Sequence, residues 1–482
     1  MLQLTENEIR SRLAFDNPWW EPGGHIETRY AELPKRAYLG QFNELISKKT
    51  ANRAVILMGP RRVGKTVMVH HAIQQMLDTG TPGTAILYLS LETPVYTGMS
   101  LEQMLNLFMH MHGLQHGADI KIFFDEIQYL KNWEVHLKSL VDSYPNFTLV
   151  ATGSAAAALR LKSRESGAGR FTEFMLPPLT FAEYLMFIGR ESELVVPPEA
   201  AGGIKYRATN IEALNEEFVN YLNYGGYPEA VFSAIVRKDS ARYIKSDIID
   251  KVLLRDLPSL YGINDIQELN QLFNVLAFNT GNEVSLEALA KRSGVSKNTL
   301  RRYMEYLEAA FLIKRVHRLD ENARHFRRAT AFKVYLTNPS MRAALFGNID
   351  DEHQAMGALT ETAIFSQWIH SDFIERLHYA RWKSGEVDLV AVNPGSLKVD
   401  WCIEIKWSDR AAKDPGELKG LLHFCARNEM ASMPVVTTRT IASVKVTGGY
   451  PIEFWPVALM AYELGRKMVQ TPYPNLMRPM WS

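Results

Sequence analysis

The chain has 482 residues, 46% hydrophobic and 22% charged, with 54 Lys and Arg against 53 Asp and Glu. That length predicts two to four domains, and a formal net charge of +1 excludes any argument for a nucleic-acid partner from bulk charge, leaving only local surfaces. Two cysteines, Cys402 and Cys425, without CxxC spacing exclude a disulfide framework, and a polar N-terminus with no apolar run of about 20 residues leads to the expectation of a cytoplasmic chain without a membrane partner.

Residues 1–35 read as an arm. Its segment 14–24 (AFDNPWWEPGG) is too rich in Pro and Gly for a helix. Trp19 and Trp20 either pack on the next domain or stack on a base. Residues 36–180 follow as an α/β domain. The apolar runs AVILM, AILYLSL, KIFFDE and FTLVATG alternate there with helical stretches, a pattern that predicts a parallel, doubly wound sheet.

The first of these runs leads into Gly59, Pro60, Arg61, Arg62, Val63, Gly64, Lys65 and Thr66, which fit GxxxxGK[ST] in the required strand-to-helix context. Glycines there let backbone N–H groups curl round phosphates, and the following helix directs its positive end at them. Lys65 is expected to reach the β- and γ-phosphates, and the Thr66 hydroxyl to ligate Mg²⁺. A second strand ends in Asp125 and Glu126, a metal-holding carboxylate followed by one that polarises the attacking water. The strand LVATG offers Thr152 as a γ-phosphate sensor. Arg170, after the glycine-rich ESGAGR, either approaches the phosphates of its own or a neighbouring subunit or is a surface arginine. Two histidine groups, His70 with His71 and His110, His112 with His116, lack carboxylate or cysteine partners and read as packing or surface residues.

Residues 181–281 read as a mostly helical lid, and 282–345 as a winged helix-turn-helix. In SLEALAKRSGVSKNTLRRYMEYLEAAFLI, Leu286 and Leu289 are expected to face the core, Gly294 to make the turn and Ser296 to cap the second helix. Leu300, Tyr303 and Leu307 form its apolar stripe. Lys297, Arg301 and Arg302 then face outward. Lys314 and Arg315 begin a basic stretch continued by Arg318, Arg324, Arg327 and Arg328, with His317 and His325 among them. These are candidate phosphate contacts; the other reading is an internal relay of nucleotide state.

The last part, 346–482, returns to α/β. GEVDLVAV places Asp388 in an apolar strand, and CIEIKW follows with Glu404 and Lys406, while Glu361 sits upstream in ALTETAIFSQWI. Alternation along a strand puts Glu404 and Lys406 on one side and Ile403 and Ile405 on the other. If the strands are neighbours, Asp388 and Glu404 bind Mg²⁺ against a scissile phosphate, Lys406 orients or deprotonates the attacking water and offsets charge, and Glu361 adds a ligand from its helix. Glu386 reads as a strand-end surface residue. A carboxylate on one strand and ExK on the next resembles the PD-(D/E)xK nucleases.

The motifs GPRRVGKT, FFDEIQ, TGS, PPLTFAEYL, GGYPEAV and IIDKVLLRDL, with the helix-turn-helix after them, stand in the order found in a family of AAA-type ATPases with a paired C-terminal half. The resemblance spans residues 35–438. It implies a RecA-like ATPase fold, a helical lid with a winged helix, and a restriction-endonuclease-like core. Asn338 in YLTNPSM stands where the family more often has aspartate and reads as a turn residue.

The combined expectation is an ATPase using ATP and Mg²⁺ whose tail is a metal-dependent nuclease on nucleic acid, DNA first. ATP would serve as gate or assembly signal in a homo-oligomer, in defence, mobile-element biology or repair. The other reading is an ATP-dependent switch or DNA-binding regulator whose tail serves only for binding.

Overall fold

The apolar runs of the first third become parallel strands because each is buried along its length and joined to the next by a helical crossover. β1 (Ala54–Met58), β2 (Ile86–Ser90), β3 (Lys121–Asp125), β4 (Thr148–Gly153) and β5 (Phe171–Met175) form one sheet in the order β2-β3-β4-β1-β5. β5, a half-exposed edge strand, has no contiguous apolar run in the sequence to announce it. The computed structural model describes residues 5–48, 52–96, 98–153, 169–198, 205–263, 265–324, 331–369, 371–430 and 432–470. The stretch 154–168 before Arg170, and His325, Arg327 and Arg328, lie outside the described residues.

Two compact units divide the chain, Met1–Leu176 and Pro177–Ser482. The arm belongs to the first. Its helix Glu6–Asp16 runs into the segment expected to be non-helical, because Thr5 and Glu8 close a reciprocal cap at its start. Trp19 and Trp20 both donate their indole N–H to the Ile86 carbonyl, at 3.2 and 2.8 Å, so burial accounts for them.

The second unit opens with helices, among them Phe181–Phe187, Ile211–Tyr224 and Ile266–Phe278, interrupted by the short pair β6 (Val195–Val196) and β7 (Arg207–Ala208). Its remaining strands make one nine-stranded sheet. They are β8 (Glu283–Ser285), β9 (Ile313–Leu319), β10 (Ala331–Leu336), β11 (Leu377–Trp382), β12 (Gly385–Val392), β13 (Val399–Glu404), β14 (Val435–Thr438), β15 (Ser443–Thr447) and β16 (Tyr450–Pro456). The order is β15-β16-β14-β13-β12-β11-β9-β10-β8. The predicted limits at 281 and 345 fall inside this unit, and strands from both sides of residue 345 share the sheet: β9 pairs in parallel with β11, His317 opposite His378 and Leu319 opposite Ala380.

Helices Leu286–Ser293 and Lys297–Ala309 are joined as expected. Gly294 closes the first with a left-handed φ of 74°, and the Ser296 hydroxyl accepts from the Thr299 N–H at 3.1 Å. Leu300, Tyr303 and Leu307 are buried. Leu286 and Leu289, expected in the core, are only half-buried.

Motifs far apart in sequence pack together here. Thr180 caps helix Phe181–Phe187, and the Leu179 N–H donates to the Gly226 carbonyl at 2.9 Å. A Cβ on Gly226 would lie 2.2 Å from the Asn338 side chain, so GGYP and TNPSM require each other. Asn338 does act as a turn residue, accepting from the Ser340 N–H at 2.9 Å, and it is fully buried.

Candidate functional site

Two clusters carry chemistry, one in each unit. In the first, β1 delivers the loop at its C-terminal end. A Cβ on Gly59 would stand 2.1 Å from the Leu176 carbonyl oxygen, so only glycine fits. Gly64, at φ 92°, precedes helix Lys65–Asp78. Arg61 and Arg62 make the turn between them, Arg62 at φ 63°. Val63 is buried, and its carbonyl accepts from Arg36 at 2.5 Å. The Lys65 ammonium lies inside the loop, donating to the carbonyls of Gly59 at 3.1 Å and Pro60 at 2.8 Å.

Asp125 is 2% exposed at the end of β3. It accepts from Thr66 at 2.8 Å, from the Tyr88 hydroxyl at 2.9 Å and from Thr152. Burial and the adjacent Glu126 push its carboxyl above the ordinary range, against those three hydrogen bonds. Thr152 also accepts from the Glu126 N–H at 3.1 Å, so one hydroxyl fixes both carboxylate positions. Glu126 sits at φ 53° and ψ 50°, a left-handed conformation uncommon outside glycine. Tyr88 and Arg36 escape a motif search, since neither lies in a recognisable pattern.

Arg170 is at the other end of the sheet. Its carbonyl accepts from Ala54 at the start of β1, whereas the loop follows Met58 at the end, and its guanidinium pairs with Asp142 at 2.5 Å. Strand rise places these ends roughly 13 Å apart. The reading in which Arg170 approaches its own chain's phosphates is therefore corrected. His70 and His71 are 2% and 3% exposed; burial pushes the His70 imidazole down to about 4. His112 packs on Trp20 and Phe108.

In the second unit, β12 and β13 are antiparallel neighbours with Leu389 opposite Ile403, which sets Asp388 beside Glu404. Both are 8% exposed. Lys406, just past β13, pairs with Glu404 at 2.7 Å and approaches Asp388 at 4.0 Å. Asp388 also accepts from the Ile405 N–H at 2.9 Å. The second oxygen of Glu404 is buried without a hydrogen-bond partner among the described residues.

Sequence reasoning missed the residue at the centre. Lys333 on β10 is 2% exposed, and its ammonium lies 2.7 Å from Glu361, 2.6 Å from Glu386 and 3.3 Å from Asp388. Glu386, expected as a surface residue, is thus a member of the cluster. Tyr335 donates to Glu361. Lys333 carries no signal in the sequence, because a single lysine in AFKVYL belongs to no motif until the sheet brings β10 under the helix Met356–Ser366. Burial and the charge of Asp388 push Glu361 up to about 7 and Glu404 up to about 8. Burial alone would lower Lys406, but Glu404 and Asp388 hold its ammonium above the usual lysine range.

Among the described residues, no group of three or more His, Cys, Asp or Glu side chains is arranged to hold a metal. Lys333 fills the point where Glu361, Glu386 and Asp388 converge, which removes Glu361 from the expected ligand set. Asp388 and Glu404 remain, with the unpartnered Glu404 oxygen. Mg²⁺ fits such a pair, since it keeps several waters and takes one or two carboxylates plus substrate phosphate.

The expected basic surface is largely neutralised. Lys297 pairs with Glu287 at 2.8 Å, Lys314 with Glu375 at 2.6 Å, and Arg315 donates through Nε to Glu308 at 2.8 Å. Arg301 and Arg302 are exposed, and among the described residues their side chains hydrogen-bond to the neutral Asn298 and Tyr306 and pair with no acidic group.

Residues 51–185 match a family model described as AAA domain, and residues 215–352 match a domain of unknown function. The first match covers the five-stranded sheet and its loop, and the N-terminal unit carries an AAA-type P-loop ATPase domain. Neither match extends past residue 352. An uncharacterized protein of Methanocaldococcus jannaschii is 24% identical over 374 residues, 75% of this chain and 77% of its own. One of Haemophilus influenzae is 24% identical over 399 residues, 82% and 91% of the two chains. Among solved structures, AMPPCP-bound DnaA from Aquifex aeolicus aligns at 13% identity over 56% of this chain and 86% of its own, with a TM-score of 0.28. A score that low does not establish a shared fold. No helix among the described residues is long and apolar enough to cross a membrane.

Proposed function

We propose that the protein is an ATP-hydrolysing machine whose second unit is a metal-dependent nuclease acting on DNA, with ATP as its gate. One observation carries the nuclease reading: Asp388, Glu404 and Lys406 converge from adjacent strands, and Glu404 keeps a buried oxygen without a hydrogen-bond partner among the described residues. In this reading the interior strands β12–β14 are the restriction-endonuclease-like core, and the helix pair with β8–β10 is the winged helix.

Mg²⁺ would be held by Asp388 and Glu404 in the tail and by Thr66 and Asp125 beside ATP, where it would supply Lewis-acid stabilisation of phosphate oxygens and an acidified water. The chain's own groups do the rest. The Ile405 N–H fixes Asp388, and Thr437 accepts from the Lys406 N–H at 2.7 Å, so strand ends hold the reacting groups in place. Lys406, its side chain 35% exposed, faces solvent; it orients the attacking water and offsets charge on the phosphate. In the ATPase, Lys65 leaves the Gly59 and Pro60 carbonyls for the phosphates, and Glu126 takes the proton of the attacking water. Thr152 links Asp125 and Glu126 and senses the γ-phosphate through them. Arg301 and Arg302 contact the DNA backbone. Arg170 has no part in this reading.

The test is cleavage of linear, circular and single-stranded DNA, and of RNA, with Mg²⁺ or Mn²⁺, with and without ATP. Cutting by the wild type that disappears in Asp388→Ala establishes the nuclease, and a change in Lys65→Ala shows the gate. ATP turnover with no cutting of any substrate overturns the nuclease. The pairing of both lysines with the carboxylates favours, in that event, an ATP-dependent switch whose tail binds without cutting.

A further inference from the structure

Three carboxylate oxygens meeting at one buried point ordinarily mark a hard cation. Glu361, Glu386 and Asp388 each turn an oxygen to one point, but they are spread around an ammonium, at 2.7, 2.6 and 3.3 Å, and as they stand they are not arranged to hold a metal. The three come from different elements: Glu361 from helix Met356–Ser366, the other two from β12 at alternate positions, with Lys333 reaching across from β10. Each element alone would strand its charge in the core, at a cost that only a counter-charge offsets.

The two lysines of the cluster are not equivalent. Lys333 has a side chain 3% exposed, whereas that of Lys406 is 35% exposed; of the carboxylates around Lys333, Glu361 and Asp388 are buried and Glu386 is 33% exposed. Asp388 is shared, one oxygen toward Lys333 and the other toward the Ile405 N–H and Lys406. The unpartnered oxygen belongs to Glu404, 92% buried, on the Lys406 side. Glu404 therefore has an oxygen with which to take an ion beside Lys406, whereas the point between the other three carboxylates is occupied by Lys333.

We propose that the Lys333 ammonium stands where a second divalent cation would sit, making the tail a one-ion site at Asp388 and Glu404 with a lysine as its permanent second cation. The inference rests on the metal-dependent reading of the tail only for the identity of that first ion. A lysine cannot be lost to dilution or a chelator, and its charge is half that of the ion it replaces. Lys333 is thus a positioning residue, fixing Glu361, Glu386 and the far oxygen of Asp388 so that the near one faces the ion beside Lys406. A purely structural ion pair is the other account. It predicts no capacity to exchange the ammonium for a metal, and apolar replacement of buried pairs is often tolerated.

The experiment counts Mn²⁺ by electron paramagnetic resonance on the nucleotide-free full chain, assigning to the tail only ions lost in Asp388→Asn. The wild type is expected to hold one tail ion, Lys333→Met two, and Lys333→Met with Glu361→Gln one. Thermal unfolding with and without Mn²⁺ accompanies the count, because Lys333→Met leaves Glu361 and the facing oxygen of Asp388 buried without their cation, while Glu386 keeps Arg381 at 3.6 Å. That variant should lose stability without the ion and regain most of it with Mn²⁺, a recovery larger than any shift in the wild type. Lys333→Met that neither gains an ion nor recovers overturns the inference, as does a wild type that already holds two. A wild type holding none, with one gained in Lys333→Met, sinks the one-ion nuclease of the preceding section and leaves the exchange of lysine for metal standing.

Discussion

His70 shows what burial does to a single titratable group. Its folded value of about 4 lies below the unfolded one, so its contribution is fully present above about pH 6.5 and is lost as pH falls toward 4. His71 is lowered in the same direction by burial. The nucleotide unit should lose roughly 2 kcal/mol between pH 7 and pH 5 from His70 alone, read as a drop in urea midpoint, and His70→Phe should flatten that slope. An unchanged slope would mean the imidazole is solvated. Gly59→Ala meets the Leu176 carbonyl at 2.1 Å and should cost at least about 2 kcal/mol as well as nucleotide binding. Glu126→Gln should keep binding and slow turnover by about 10² or more; turnover near the wild type would move the base elsewhere. Gly59, Lys65 and Asp125 are legible in the sequence because their chemistry requires fixed spacing along one loop and one strand. Lys333, Glu386 and Tyr88 are not, because their roles exist only across strands.

At the scale of elements, local rules read well where the chain makes its own contacts. Ser296 caps its helix through the Thr299 N–H, so Ser296→Ala should cost about 1 kcal/mol, measurable by thermal unfolding. The same helix turns Arg301 and Arg302 to solvent. Each one's replacement by Ala should weaken DNA binding and reduce the salt slope by about 1, while Lys314→Ala, already paired with Glu375, should do less. Equal effects from all three would mean the ion pair opens on binding. Where burial depends on distant partners, local rules fall short. The apolar positions of Leu286–Ser293 repeat at helical spacing, yet none is fully buried. β5 has no apolar alternation to announce it, and in β15 the alternating Val444 and Val446 face outward, 58% and 74% exposed, so the pattern does not mark a buried face.

For the whole molecule, ligand linkage tests the assignment of nucleotide to one unit. A non-hydrolysable ATP analogue at about 100 times its Kd should add about 2.7 kcal/mol to the unit that binds it. Lys65→Ala should abolish the shift and Asp388→Asn should leave it whole; a shift lost in Asp388→Asn would place nucleotide in the tail. By itself, the sequence determined that a phosphate-binding loop follows a buried strand, that an acidic pair ends another, and that a helix pair and an ExK strand lie beyond them. Each is a relation over a few residues, set by strand alternation, helical period and the reach of one loop. Only the tertiary structure decided that the helix pair and the tail share one nine-stranded sheet, and that Arg170 stands at the wrong end of its strand. It also decided that a buried lysine from β10 holds three carboxylates of the tail together. Those are matters of which strands become neighbours, and desolvated charges choose partners by proximity in space, with no regard to distance along the chain.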